Sequence, residues 1–235
     1  TENLKNHSLK IAVADPRFSK LAGKAKYWLP IKPGEDAALA MAIIRWMIEN
    51  EKIDSKFLCG ANVAAAKANG ETSWTNSTWL VEVKDGKPGK FVRAADVGLA
   101  KAEKRTIPDP KDKAKVVEYE EKFMVAMVDG KPVSFDPNDD KNSINGDLFV
   151  DGALPNGVTV KSSLQLLKEA AFEKTIEEWC KMAGVKTADV LAVARELTSY
   201  GKQAGVDIHR GVAQHTNGFY NVLAWMSVNM LLGNF

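Results

Sequence analysis

Soft metal ligands are scarce in this chain. Its 235 residues include two cysteines, Cys59 and Cys180, and three histidines, His7, His209 and His215. The cysteines lie in different segments and form no C-x-x-C pair. That excludes a disulfide framework and argues against a metal or iron–sulfur site built from these residues. They read as small buried side chains, and the histidines are too scattered for a zinc site. An excess of one charge is missing too. The formal net charge is +2, which gives no reason to expect nucleic acid or an acidic membrane as partner. Long apolar runs are absent: the most apolar late stretch, Val222 to Leu232, has about 11 residues, too short to span a bilayer. Thr1 to Lys10 is polar and lacks the apolar core of a signal peptide. Leu231 to Phe235 follows an apolar run with no polar tail, so both ends are expected to be cuts in something longer.

Several catalytic signatures are also missing. No strand is followed by G-x-G-x-x-G, and there is no G-x-x-x-x-G-K-[ST] phosphate loop. Neither G-x-S-x-G nor H-E-x-x-H occurs, and no nucleophile has a base beside it. No catalytic residue and no metal ligand is assigned. What remains is an ordinary globular composition, 45% apolar and 26% charged, in a chain long enough for one large domain or two small ones. It reads as a binding domain rather than a catalyst.

Two short stretches stand out against that background. In Ile11-Ala12-Val13-Ala14-Asp15-Pro16-Arg17 an apolar strand stops at an acid, a proline and an arginine. A carboxylate at a strand end is suited to a ribose or a base edge, and the arginine fork to phosphate. In Pro30-Ile31-Lys32-Pro33-Gly34-Glu35-Asp36 the glycine permits close backbone approach, and the acids open a helix where negative charge is favoured. Together they form half of a nucleotide site. Each also has a plain reading: a strand end with a solvated arginine, and a turn into a helix.

Along the chain, Ile11–Ala14 and Tyr27–Ile31 read as strands. Asp36–Asn50 reads as a helix with Leu39, Ile43, Ile44 and Met47 on one face. From Glu51 the pattern changes. Asp85-Gly86-Lys87-Pro88 and Asp129-Gly130-Lys131-Pro132 each sit between β-rich runs, a strong hairpin signal. Lys101–Lys115 and Pro137–Gly157 read as exposed loops. Helices resume near Ser162 or Ser163. A capping box, Thr175 to Glu178, starts the next helix, and Gly184 ends it. Another runs from Thr187 to before Gly201. Val206–Gly211 reads as a strand ending in a glycine turn, Gln214–Gly218 as a polar loop, and Phe219–Leu232 as a buried helix. The organisation expected is 1–50 as the first part of an α/β domain, 51–157 as a β-rich insertion, and 158–235 as the remainder of that domain.

The cluster from His209 to Gly218 concentrates donors and acceptors after an expected strand end, where α/β folds bind ligands. Its plain reading is a loop using Asn217-Gly218 as a helix entry. The Glu71–Asn76 segment, with Trp74 and Trp79 nearby, reads as a packed loop.

The segment V-A-D-P-R-F-S-K-L-A-G-K-A-K-Y-W-L-P-I-K-P-G-E-D, Val13 to Asp36, resembles the nucleotide-binding segment of the molybdopterin oxidoreductases, the dimethyl sulfoxide reductase family. R-G-V-A-Q-H-T-N-G and L-L-G-N, between Arg210 and Asn234, resemble the later segment that lines the pterin in that family. Lys26 stands where an acid is common and Glu35 where threonine is common. Pattern and resemblance together give an α/β fold: an open, mostly parallel Rossmann-like sheet with flanking helices, interrupted by a β-hairpin-rich insertion.

The resemblance implies molybdopterin guanine dinucleotide, with molybdenum or tungsten, as the cofactor. An iron–sulfur cluster is expected only in a preceding part of the longer protein. Asp15 would meet the guanosine ribose or base, and Arg17 and Ser19 would lie near the diphosphate. Gly34 and Asp36 would frame the guanine. Gly211, Gln214, His215, Asn217 and Gly218 would approach the pterin and the substrate funnel. The insertion, with G-E-T-S-W-T-N-S-T-W-L-V and G-D-L-F-V-D, is most similar to the tetrathionate-reducing branch. Arsenate, thiosulfate or polysulfide reduction is the alternative within the family, and a stand-alone nucleotide-binding module the alternative outside it. The parent is expected in the periplasm. Its expected partners are an iron–sulfur electron-transfer subunit plus a membrane anchor subunit, and this piece by itself is expected to be inactive.

Overall fold

The computed structural model describes residues 2, 6, 9–121 and 123–234. His7, Thr1 and Phe235 lie outside the described residues. The chain divides into two units, Thr1–Asp54 with Lys168–Phe235, and Ser55–Leu167.

In the first unit, β1 (Ala12–Ala14) and β2 (Tyr27–Leu29) pair in parallel, with Val13 opposite Trp28. The Lys26 N–H donates to the Ile11 carbonyl, and the Asp15 N–H to the Leu29 carbonyl, which extends the ladder at both ends. Beyond β2 the chain turns into α1 (Asp36–Glu49). Leu39, Ile44 and Met47 of α1 are completely buried, and alanines at 38, 40 and 42 let neighbours approach closely. It packs against α2 (Ile176–Ala183), α3 (Thr187–Ser199) and α5 (Gly218–Leu231); α4 (Arg210–Ala213) lies just before α5. A helix enclosed in this way is held by packing rather than by intrinsic propensity. The capping box on α2 is complete: Thr175 Oγ1 accepts from the Glu178 N–H and Glu178 accepts from the Thr175 N–H. Gly184, with φ 74°, closes that helix.

The second unit is antiparallel. Here β3 (Leu80–Lys84) and β4 (Lys87–Phe91) form one hairpin. A second ribbon joins β5 (Glu103–Pro108) to β6 (Val116–Glu121), and a third joins β7 (Met124–Val128) to β8 (Lys131–Phe135). With β9 (Asp151–Ala153) and β10 (Thr159–Ser162), the first hairpin completes a four-stranded sheet in the order β4-β3-β10-β9. Both Asp-Gly turns place aspartate and glycine at positive φ, 51° and 73° at Asp85-Gly86 and 49° and 73° at Asp129-Gly130. That geometry matches the twist of the flanking strands. Leu80, Val92, Val125, Leu154 and Val160 form one core, while Trp79, Ala126 and Phe135 form another, with Trp74 stacked on Trp79 at 5.1 Å. Buried Asn62 ties down the Asn/Asp-rich loop, accepting from the Ile144 N–H and donating to the Asn142 carbonyl.

Several sequence expectations need correction. The architecture mixes helix and sheet, but an open, mostly parallel sheet is not what forms. Among the described residues β1 and β2 are the parallel pair, and the remaining ladders are antiparallel. The expected strand Val206–Gly211 does not form: it is irregular up to His209, where the Val206 backbone is satisfied by the Asn229 side chain instead of a neighbouring strand, and helical from Arg210. Lys101–Lys115 is not a simple loop, since Glu103–Pro108 pairs in register with Val116–Glu121. That ribbon is exposed on both faces, which removes the alternation that marks a half-buried strand. Finally, α5 is not buried all round: Phe219, Tyr220, Leu223 and Met226 are exposed.

Candidate functional site

Parallel pairing puts the ends of β1 and β2 side by side, so the turns that follow them share the carboxyl edge of the pair. That edge is where open α/β layers present ligands. At the first turn, Asp15 Oδ1 accepts from the Arg17 N–H at 2.9 Å, closing a tight bend around Pro16. The Trp28 indole donates to the Asp15 carbonyl, which fixes the strand end from the neighbouring strand. The Arg17 side chain projects into solvent. Ser19 Oγ accepts from the Ala22 N–H at 3.3 Å, steadying a short helical turn and leaving its own O–H free to donate.

The second turn is anchored through Lys32. Its N–H donates to the Ala183 carbonyl at 2.9 Å, and its stem lies where a β-carbon on Gly184 would come within 2.7 Å. Gly34 follows with φ +88°, a conformation other residues adopt only under strain. The chain then enters α1 with no side chain capping its first turn. Asp36, at the first position of α1, is half-buried, and that burial is the main influence pushing its carboxyl above the usual range. Its own backbone amide and His215 pull the other way.

His215 belongs to the other sequence cluster, yet it sits against this turn. A β-carbon on Gly34 would lie 3.6 Å from His215 Nδ1. The fold therefore brings Gly34, Asp36 and His215 together. Gln214, His215 and Asn217 are exposed, and open space faces the α-carbon of Gly211. Gly218 has a packing reason of its own, because a β-carbon there would be 2.1 Å from the Ala213 carbonyl oxygen. Asp15, Arg17 and Ser19 follow β1 at the same strand-end edge.

Sequence reasoning missed two features that fix the geometry. Glu196 of α3 accepts from Lys10 and Lys26, which precede β1 and β2, and from the Tyr27 and Tyr200 hydroxyls. The lysine hydrogen bonds push the Glu196 carboxyl down to about 2, and the Glu196 bond holds the Lys10 amine above its ordinary range. This charged knot sits at the amino ends of the two strands, opposite the site, and pins them to α3. The second feature is Asn221 of α5, fully buried, with Nδ2 donating weakly to the Val212 carbonyl at 3.4 Å. An asparagine among apolar residues in the first turn of this helix was the signal available.

A separate cleft of about 710 Å³ in the second unit is lined by Lys101, Arg105, Phe135 and the 136–142 loop. Its carboxylates are engaged locally: Asp136 accepts from the Asn138 N–H and Arg105, and Asp139 from Lys141 and Asn142. Among the described residues no cluster of His, Cys, Asp and Glu is fit to hold a metal ion, and no helix is long and apolar enough to cross a membrane.

No protein-family model matches the chain. Individual proteins do. It is 44% identical over 235 residues, its whole length, to a selenate reductase subunit of Mesobacillus selenatarsenatis, covering 20% of that protein. It is 34% identical over 230 residues, 96% of its length, to a tetrathionate reductase subunit of Archaeoglobus fulgidus, covering 18% of that protein. The chain thus spans about a fifth of the length of the curated relatives it matches. In fold it is similar to acetylene hydratase from Pelobacter acetylenicus, with a TM-score of 0.51 over 98% of this chain and 18% of that one, at 14% identity. The Asp-Pro-Arg and Pro-Gly-Glu-Asp turns, their shared strand edge and these relatives agree, and the chain belongs to the molybdopterin oxidoreductase family.

Proposed function

We propose that the turns after β1 and β2, with the loop from His209 to Gly218, hold the guanine dinucleotide arm of a molybdopterin cofactor. The single observation that carries this reading is the seating of His215 against Gly34, beside Asp36, at the carboxyl edge of the parallel pair. The donor set suits the group. Guanine offers adjacent N1–H and amino donors, and the Asp36 carboxylate accepts two parallel hydrogen bonds; adenine lacks that pair of donors. The exposed Arg17 fork and the free Ser19 O–H suit a diphosphate. Gly34, at positive φ, makes the turn that carries Asp36 to this edge. His215 stands with Gly34 and Asp36 at the guanine end, while Gln214 and Asn217 supply side-chain donors and acceptors towards the pterin, with Gly211 and Gly218 in the same loop.

When bound, the cofactor's metal supplies the redox chemistry, and the residues named above bind and orient the cofactor. The parent protein is a reductase of a chalcogen oxyanion, tetrathionate or selenate, the substrates in its relatives' names. It works in the periplasm with partner subunits for iron–sulfur electron transfer and for membrane anchoring, a placing supported by family resemblance. The 235-residue chain by itself reduces neither oxyanion.

Calorimetric titration of the chain with guanosine and adenosine diphosphates tests this. Preference for the guanosine nucleotide, weakened in Asp36→Ala, supports the reading. Equal binding of both would instead identify a general nucleotide module. A panel of selenate, tetrathionate, thiosulfate, polysulfide and arsenate on the full-length parent assigns the substrate.

A further inference from the structure

The segment that carries His209 into the site is held by side-chain amides. Asn229 Oδ1 accepts from the Val206 N–H at 2.7 Å, and Asn229 Nδ2 donates to the Val206 carbonyl at 2.9 Å. One side chain thus takes the place of a neighbouring strand at Val206. Two residues earlier, Asn234 Nδ2 donates to the Ala204 carbonyl at 2.6 Å, and the Asn234 N–H donates to the Asn229 carbonyl. Gly205 lies between the two contacts, and a β-carbon there would come within 2.6 Å of Asn234 Nδ2. Gly233, at φ +70°, makes the turn that brings Asn234 back. The far side of the loop is held by the start of the same helix, where Gly218 lies under Ala213 and Asn221 reaches the Val212 carbonyl.

We infer that Asn229 and Asn234 are positioning residues for the nucleotide site: their amides fix where the 204–206 segment leaves α5 and so seat His215 against Gly34. The inference rests on the cofactor reading above. The L-L-G-N resemblance acquires a mechanical meaning, since its asparagine clamps the approach to the loop. A bidentate amide specifies a single register for Val206, which an apolar contact would not.

The test uses the full chain with Asn229→Ala and Gly205→Ala. The second displaces Asn234 without removing a hydrogen-bonding group and should weaken the His215–Gly34 contact as Asn229→Ala does; an unchanged contact there overturns the role of Asn234. Thr175→Ala, which loses the α2 cap, controls for general destabilisation. In Asn229→Ala the Val206 amide should exchange about tenfold faster, the equivalent of one net hydrogen bond. The nuclear Overhauser contact between His215 and Gly34 should vanish, and guanosine diphosphate affinity should fall several-fold. Thr175→Ala should lower the melting temperature while leaving contact and affinity intact. Asn229→Asp adds a signature that loss of packing does not produce. Ionised, its carboxyl still accepts from the Val206 N–H but cannot donate to the Val206 carbonyl; protonated, it does both, so the His215–Gly34 contact should return at acidic pH, with no such return in Asn229→Ala. Retention of the His215–Gly34 contact in Asn229→Ala, or its loss with unchanged affinity, overturns the inference. If the wild type binds no guanosine diphosphate, the cofactor reading fails; the exchange and contact measurements still decide the clamp.

Discussion

His215 lies against Gly34, close enough that a β-carbon on the glycine would sit 3.6 Å from Nδ1. That spacing is ordinary van der Waals contact, so room is not what demands glycine. The φ of +88° is. Gly34→Ala should therefore cost about 1–2 kcal/mol of stability. Urea denaturation checks this. Gly23→Ala, at a position without positive φ, should cost far less.

Asp36 is set against stability by its own site. Burial raises its carboxyl pKa in the folded chain. The unfolded chain therefore ionises first as pH rises, stability falls through that window, and the penalty is complete above the folded-state pKa. Asp36→Asn should be more stable than wild type at neutral pH, with the gain disappearing below the ordinary carboxylate range, and should bind guanosine diphosphate more weakly. Thermal melts across pH, paired with titration calorimetry, check both halves.

Glu196 has the opposite sign. Its carboxyl falls from 4.5 to about 2 because Lys10 and Lys26 donate to it. The stabilisation is complete above about pH 4.5 and is lost as pH drops towards about 2. Glu196→Gln should flatten the acid limb of the stability profile in that window. Unchanged acid sensitivity in the variant would show that the knot does not hold the strands.

In the second unit, Thr78 is completely buried and its Oγ1 has no partner among the described residues. Thr78→Val should raise stability by about 1 kcal/mol, recovering the desolvation cost of the hydroxyl. The neighbouring Gly146 admits no side chain, because a β-carbon would lie 2.6 Å from Thr78 Cβ. Gly146→Ala should cost about 1–3 kcal/mol by overpacking, measured by denaturant midpoint.

Local chemistry was legible in the sequence. Asp85-Gly86 and Asp129-Gly130 announced hairpins because such turns need positive φ, and the Thr175–Glu178 box announced a helix start. The Gly34 turn was visible for the same reason, and the Asp15 turn through an acid and a proline at a strand end. Partnership at a distance was not legible. Val206–Gly211 looks like a strand, and nothing nearby reveals that Asn229 would take the place of a neighbour. The β5–β6 ribbon hid because neither face is buried, so no period appears. Both clusters of the candidate site could be flagged, but only the fold shows His215 arriving at Gly34.

The central claim is that the two sequence clusters form one guanine-nucleotide site. Amide chemical-shift mapping of the chain during titration with guanosine diphosphate tests it most directly. The account predicts that Arg17, Gly34 and Asp36 shift together with His215 and Gly218, along a single binding curve. Shifts confined to one cluster, or two curves with different midpoints, would contradict it.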